Sequence, residues 1–324
     1  MLYKNAAGHV LKKTVTLTFI GILFCFLLLF PDLSFQASKN GLLLWFDTLL
    51  PTLLPFLVLS QLILKTPLIQ YAETFIGPFF CKLFHCSPNG AFCVLCGFLC
   101  GYPVGARLIA LQRKDQKLSI AEGQYLLSFC NQVSPAFCIS YGIVSGIGTT
   151  EIIPFLCMIY GSSLLFAYFT RPKTFEQAFP KTKKQTRITE NIFHLIDVCI
   201  IDSFLIMIKL CGYMILFSLI STGITLLIPA RLSWCMPFIT SLLEITNGLS
   251  KIHTLPYGIY RSALGVFALS FGGFCCIFQT SSVLSDSGLS LKKYILHKII
   301  TALIALFLFV LWNFFHGFTV NGWR

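Results

Sequence analysis

The stretch AFCVLCGFLCGYPVGAR, residues 91–107, decides how the rest of the chain is read. It is apolar enough for a membrane interior, yet Gly97, Gly101, Pro103 and Gly105 interrupt it within nine positions. Glycine weakens a helix and proline removes a backbone donor, so the spacing predicts a broken helix and not merely a bent one. Broken backbone at membrane depth persists only where protein or a solvated cavity satisfies it, the usual setting of a transporter's binding site. A second break is expected in FCNQVSPAF, residues 129–137, around Asn131, Ser134 and Pro135.

Working outward, the whole chain supports a membrane setting. Of 324 residues, 56% are hydrophobic, 33 are Phe and only 11% are charged. A soluble domain carries roughly 25% charged residues. The composition therefore predicts an all-α polytopic membrane protein of about 7–9 transmembrane or re-entrant helices with broken segments. The net charge is +12, from 24 basic and 12 acidic residues. The basic residues fall in the links between apolar runs, as in cytoplasmic loops, so no nucleic-acid partner is expected.

Most of the 14 cysteines sit inside apolar runs, where cysteine behaves as a small hydrophobe. Cys93-x-x-Cys96 has metal or redox spacing beside His85-Cys86, but no second pair completes four ligands. Neither a metal nor another cofactor is expected. His9, His85, His194, His253, His297 and His316 fall mostly at the ends of apolar runs, with no G-x-S-x-G or H-E-x-x-H motif. No catalytic residue is assigned, and the chain is not expected to be an enzyme.

Lys4, Lys12 and Lys13 precede an apolar run at 14–30 that ends at Pro31-Asp32; it reads as an uncleaved first helix with a cytoplasmic N-terminus. A second span is expected at 41–64, carrying Asp47, Pro51 and Pro55. Residues 67–84 are too short and too interrupted to span and suit an interfacial or re-entrant segment. Basic residues flank 91–106 on both sides: Lys65 and Lys82 before it, Arg107, Arg113, Lys114 and Lys117 after it. Both ends then face the cytoplasm and the stretch is a hairpin; the competing reading is one kinked span. Further spans are expected at 123–145, 152–170, 195–228 and 295–315, with a polar break at 244–248 inside 232–251 and a glycine-weakened stretch at 262–284.

The chain divides into an N-terminal anchor helix at 1–40, a first membrane half at 41–170, a basic cytoplasmic linker at 171–194 and a second membrane half at 195–324. Each half runs span, short broken segment, glycine-weakened segment, span. The halves are weakly similar, and inverted if 91–106 is a hairpin, as in many transporters. Inversion would leave Lys292 and Lys293 outside, against the charge bias.

Gly97-Phe-Leu-Cys-Gly101-Tyr102-Pro103-Val-Gly105-Ala-Arg107, then Phe129-Cys-Asn131-Gln-Val-Ser134-Pro135-Ala-Phe, then Glu244-Ile-Thr246-Asn-Gly248, resembles the YlbJ (SpoVV) family of sporulation integral membrane proteins. That family falls in the nucleoside-recognition, or Gate, domain group, related to concentrative nucleoside transporters. The resemblance spans residues 40–310. It implies a multi-pass protein of the bacterial inner membrane, in the outer forespore membrane during sporulation. It also implies transport of dipicolinate from mother cell toward forespore, needed for a complete spore cortex. The chain departs in being shorter than family members and in having Asn-Gln-Val-Ser-Pro where they have a more polar segment.

A broken-helix N-terminus exposes free N–H groups and the positive end of the dipole, which can hold a carboxylate. Gly101, Tyr102, Pro103 and Gly105 would supply such an end, with Tyr102 able to stack on a flat ring; Asn131, Ser134 and Pro135 add the second break. The plainer reading is that these glycines allow close helix packing. Glu244, Thr246, Gly248 and Gln279 mark the break of the second half. Lys209 lies well inside a span and is a candidate for the solute path; Asp202, two turns earlier, could pair with it. Arg107 either attracts an anion or anchors the hairpin at the headgroups, and Asp47 and Glu122 are expected at solvated ends.

The expected partners are a small anionic solute, the lipid bilayer, and other spore-envelope membrane proteins or further copies of the chain. The alternatives are a nucleoside-type carrier and a non-transporting membrane scaffold of spore envelope assembly.

Overall fold

The computed structural model describes residues 2–172 and 192–316, so most of the basic linker expected at 171–194 lies outside the described residues. Every regular element among the described residues is helical. In order these are α1 (Leu2–Leu29), α2 (Pro31–Lys65, with a π turn at Trp45–Leu49), α3 (Leu68–Phe84), α4 (Pro88–Cys100) and α5 (Val104–Lys114). Next come α6 (Ile120–Cys130), α7 (Pro135–Phe137, continuing as a π-helix over Cys138–Ile147), α8 (Ile152–Thr170) and α9 (Ile192–Leu227). The chain closes with α10 (Met236–Leu243), α11 (Ile245–His253), α12 (Ile259–Phe271), α13 (Gly273–Val283) and α14 (Leu291–His316).

Among the described residues five helices are long and apolar enough to cross a membrane: Pro31–Lys65, Ile152–Thr170, Ile192–Leu227, Ile259–Val283 and Leu291–Phe315. The protein is an all-α polytopic membrane protein. The outer helices expose apolar side chains, such as Ile201, Leu205 and Ile208 on α9 and Leu303, Phe307 and Val310 on α14, as lipid-facing surfaces require.

The second span starts at Pro31, not at 41, because a proline at the first helical position needs no donor and nothing in Asp32–Asn40 stops the helix. Its small residues let it approach α9 closely. Ser218 Oγ donates to the Ala37 carbonyl at 2.9 Å, and a Cβ on Gly41 would lie 3.1 Å from Ile215 Cα. Helix α3 carries Pro78 internally, and its last turns, Gly77–Phe84, meet α4 at 93°.

The stretch 91–107 does not continue as one helix. Eight residues of α-helix would separate Gly97 from Gly105 by about 12 Å, yet a Cβ on Gly105 would sit 2.9 Å from Gly97 Cα. The chain has doubled back at Gly101-Tyr102-Pro103, so α4 and α5 form a helical hairpin. Gly101 turns it at φ +81°, a conformation that glycine adopts freely, and the Tyr102–Pro103 peptide is cis. A second hairpin follows the same plan. Helices α10 and α11 fold about Glu244, and a Cβ on Gly248 would collide with the Ser241 backbone.

Hydrogen bonds show which ends of the molecule these hairpins open toward. Ser87 N–H donates to Glu122 Oε1 at 2.6 Å, Arg113 Nε donates to the Ser287 carbonyl at 3.3 Å, and Ser290 N–H donates to Gln124 Oε1 at 2.7 Å. Arg171 Nη1 donates to the Leu83 carbonyl at 3.2 Å. The feet of the first hairpin, the start of α6, the end of α8 and the start of α14 therefore share one end. At the other end, Tyr257 OH donates to the Gly148 carbonyl at 2.6 Å, Arg261 Nη2 to the Gly146 carbonyl at 3.3 Å, and Tyr260 OH to the Trp234 carbonyl at 2.8 Å. The second hairpin has its feet there.

Two expectations are corrected by this arrangement. The unit hairpin, broken span, long helix occurs as α4–α5, α6–α7, α8 and again as α10–α11, α12–α13, α14, in opposite directions. The matching segments are thus 88–114 with 236–253 and 120–147 with 259–283, one element away from the expected pairing. Hydropathy cannot distinguish a folded-back pair of short helices from a weakened span. Lys292 and Lys293 also cease to conflict with inversion: they begin α14, at the same end as Arg113, Lys114 and Arg171. The positive-inside bias assigns that end to the cytoplasm.

Candidate functional site

Both hairpin tips reach the middle of the molecule, and each rests on a helix break. At the first tip, a Cβ on Gly101 would lie 2.6 Å from Ser134 N, in the unwound link between α6 and α7. At the second, a Cβ on Gly273 would lie 3.1 Å from the Ser241 carbonyl oxygen, at the break between α12 and α13. The tips also cross over: the Tyr102 side chain packs so closely on Gly272 that a Cβ there would lie 2.7 Å from its hydroxyl. Gly272, at φ +85°, combines the turn and this contact.

Between the tips lies a small cavity of about 50 Å³. Gly101 and Tyr102 line it from the first tip, Ser134 from the first break, Glu244 and Thr246 from the second tip, and Cys276 and Gln279 from α13. Leu49, Thr52 and Leu53 of α2 and Met214 of α9 close the sides. A cavity of this size holds a few waters, so admitting a ring-sized solute requires the tips to part.

The backbone groups freed by each break are satisfied differently. At the first, Asn131 Oδ1 accepts from Ala106 N–H at 3.3 Å, one of the orphan donors at the start of α5. Its Nδ2 donates to Thr280 Oγ1 at 2.9 Å and to Tyr294 OH at 3.0 Å, tying α6 to α13 and α14. Ser134 Oγ caps α7 by accepting from Phe137 N–H at 3.3 Å. At the second tip Glu244 caps α11 itself. Its carboxylate accepts from Thr246 N–H at 3.1 Å, Asn247 N–H at 2.8 Å and the Thr246 hydroxyl. A buried carboxylate at a helix N-terminus complements the dipole.

The break also contains a residue that the sequence reading passed over. Lys298, 0% exposed, donates through Nζ to Gln132 Oε1 at 2.7 Å and stands 5.2 Å from the Tyr102 ring centroid. Gln132 Nε2 in turn donates to Ser163 Oγ at 2.6 Å. In the sequence Lys298 falls just inside the span expected at 295–315. The signal was there in the spacing: Tyr294, Lys298, Thr301, Ala302, Ala305 and Phe309 form one buried helical face.

The candidates from the sequence divide into three groups. Gly101, Tyr102, Ser134, Glu244, Thr246 and Gln279 come together around the cavity. Pro103, Gly105, Asn131, Pro135 and Gly248 build the breaks behind it, through packing and the bonds above. Lys209 and Arg107 do not join the site. Lys209 is exposed on α9. Asp202 pairs not with Lys209 but with Lys65, at 3.6 Å. Seven residues on one helix face are separated by about 10 Å along the axis, whereas the end of α2 passes directly beside Asp202. Arg107 is half-buried one turn beyond the tip, and its Nε is buried without a hydrogen-bond partner among the described residues. Glu122, expected at a solvated end, is 4% exposed and holds the first foot of the hairpin through Ser87.

No family model matches this chain, and no solved structure does. The chain is 25% identical to the Sporulation integral membrane protein YlbJ of Bacillus subtilis (strain 168), over 87% of its own length and 78% of that protein's. The similarity therefore takes in both hairpins and both breaks, and it supports a relationship between this multi-pass membrane protein and a sporulation integral membrane protein.

Proposed function

We propose that this protein is a carrier of sporulation that moves a small flat anionic solute, with dipicolinate as the expected cargo, from the mother cell toward the forespore. One observation carries the reading. Two helical hairpins enter from opposite ends of the molecule and meet tip to tip at two broken spans, around a cavity with polar groups from both halves. Such an arrangement gives each end its own gate over a common site, which is the requirement of alternating access. The basic end, with Lys65, Arg113, Lys114 and Arg171, would gather an anion from the cytoplasm. Tyr102 offers a ring face, and Ser134, Thr246 and Gln279 offer hydrogen bonds to it. By its similarity to the Bacillus subtilis protein, the setting would be sporulation; the resemblance of the motifs at 97–107, 129–137 and 244–248 adds the outer forespore membrane as the site of action and cortex formation as the process that depends on the cargo. Membership of the nucleoside-recognition group belongs to the same proposal.

The test is uptake by inside-out vesicles containing the full chain. Accumulation of dipicolinate is expected, with a fall of about tenfold when Gln279→Leu removes a cavity amide while leaving its helix intact. Gly105→Ala is unsuitable as a probe, since its Cβ would sit 2.9 Å from Gly97 Cα and jam the hairpin. Preferential uptake of uridine would make the protein a nucleoside-type carrier. Uptake of neither, with normal protein levels, would favour a scaffold of the spore envelope.

A further inference from the structure

Four side chains with a formal charge at neutral pH are buried among the described residues: Glu122, Glu244, Arg261 and Lys298. Glu244 and Arg261 are met by several groups, and Glu122 by a short bond from a backbone N–H. Glu122 accepts from Ser87 N–H, and Glu244 accepts from three donors. Arg261 reaches the Leu255 and Gly146 carbonyls and the His253 ring. Lys298 differs. An ammonium offers three donors, yet its one acceptor among the described residues is the neutral amide oxygen of Gln132, at 2.7 Å. No carboxylate forms an ion pair with it among those residues. A cation held out of water by one amide and one aromatic face is costly, and such residues in a membrane interior mark solute or ion paths.

Its position matches that role. Gln132 precedes Val133 and Ser134, which line the cavity, and Tyr102, which also lines it, has its ring 5.2 Å from the ammonium. Lys298 also joins the two halves, since α14 of the second half reaches the break of the first. We infer that Lys298 is the charge-selecting residue of the site: a carboxylate of the solute takes the ammonium over from Gln132 once the Tyr102 ring turns aside. This rests on the anionic cargo proposed above and names the group that recognises it. Uncharged molecules of the same shape would leave Lys298 with Gln132 and gain nothing from it. The exposed Lys209 has no part in the selection.

The experiment compares binding of pyridine-2,6-dicarboxylate and its neutral diamide to the purified full chain in lipid nanodiscs. The wild-type protein is expected to prefer the dicarboxylate by about tenfold or more, the scale of one charge-assisted hydrogen bond. Lys298→Met should bring the dicarboxylate down to the level of the diamide, while Lys298→Arg should keep the preference. Replacing a buried cation by an apolar residue of similar length is commonly tolerated. Should that variant not fold, Gln132→Glu carries the test. It gives Lys298 an internal carboxylate at the place of the amide, and so should abolish the preference in a folded protein. Retention of wild-type selectivity in Lys298→Met or in Gln132→Glu overturns the inference and leaves the anion carrier standing. Equal binding of both probes by the wild-type protein overturns the anionic cargo, and the role of Lys298 with it.

Discussion

At the first hairpin tip, the side chain that closes helix α5 is Asn131, which belongs to the neighbouring broken span; at the second tip, Glu244 closes helix α11 from within the hairpin. The difference bears on how each tip can move. Asn131 also holds Thr280 and Tyr294, so withdrawing the first tip leaves α13 and α14 with an altered partner. Glu244 retains its three donors wherever its hairpin goes. The first tip is thus wired into the core by neutral amides, whereas the second carries its own charge and its own cap. In a pair of units related in plan, the cap of the second helix is internal to its hairpin, although Tyr141 OH still donates to the Thr246 carbonyl and Asn247 Nδ2 to Ser218 Oγ, each at 3.4 Å.

The most decisive way to break the comparison is to ask whether the hairpins open at opposite ends. In a cysteine-depleted protein, single cysteines in place of Lys82, Lys114 and Lys292 should be labelled from the cytoplasmic side only, and one in place of Tyr257 from the other side only. The expected contrast is all or none. Labelling of Lys292 and Tyr257 positions from a common side would end the inverted arrangement.

The caps supply a graded contrast. Glu244→Ala leaves three buried donors without an acceptor and should cost about 3 kcal/mol, whereas Asn131→Ala should cost about 2 kcal/mol. Thermal unfolding in detergent compares them. A double-mutant cycle sharpens the point: Asn131→Ala with Thr280→Val should be non-additive by about 1 kcal/mol, and Glu244→Ala with Thr280→Val additive. Additivity in both cycles would remove the distinction between a wired tip and a self-capped one.

The smallest effect concerns charge outside the site. Lys65 and Asp202 are each about a third exposed, so Lys65→Met should lower stability by less than about 1 kcal/mol. Lys209→Met should change neither stability nor dipicolinate uptake. A strong loss of uptake in Lys209→Met would return that lysine to the solute path and weaken the case for Lys298.

Much of the site could be read along the chain, because glycine and proline act locally. Gly101 and Pro103 break the helix wherever the chain is placed, and Asn131, Ser134 and Pro135 do the same at the second break. Glu244 followed by Thr246 and Asn247 has the local form of a helix cap. Lys209 and Lys298 show where local reading fails. Both are lysines in apolar runs, and their energetic meaning depends on what packs beside them. Lys209 points away from the neighbouring helices, and Lys298 points into them.

By itself, the sequence determined that this is an all-α membrane protein with breaks at 101–105, 131–135 and 244–248, since hydropathy and backbone chemistry are properties of short segments. The hairpin at 91–106 was also legible from its flanking basic residues; only the tertiary structure decided that 236–253 is a second hairpin of opposite direction and that the two tips share one cavity. It also decided that Asp202 serves Lys65 and that Lys298 stands over the Tyr102 ring. These are contacts between residues far apart in the chain, such as Gln132 with Lys298 and Tyr102 with Gly272. Such contacts depend on how helices stack, and a linear pattern of apolar residues leaves that stacking undetermined.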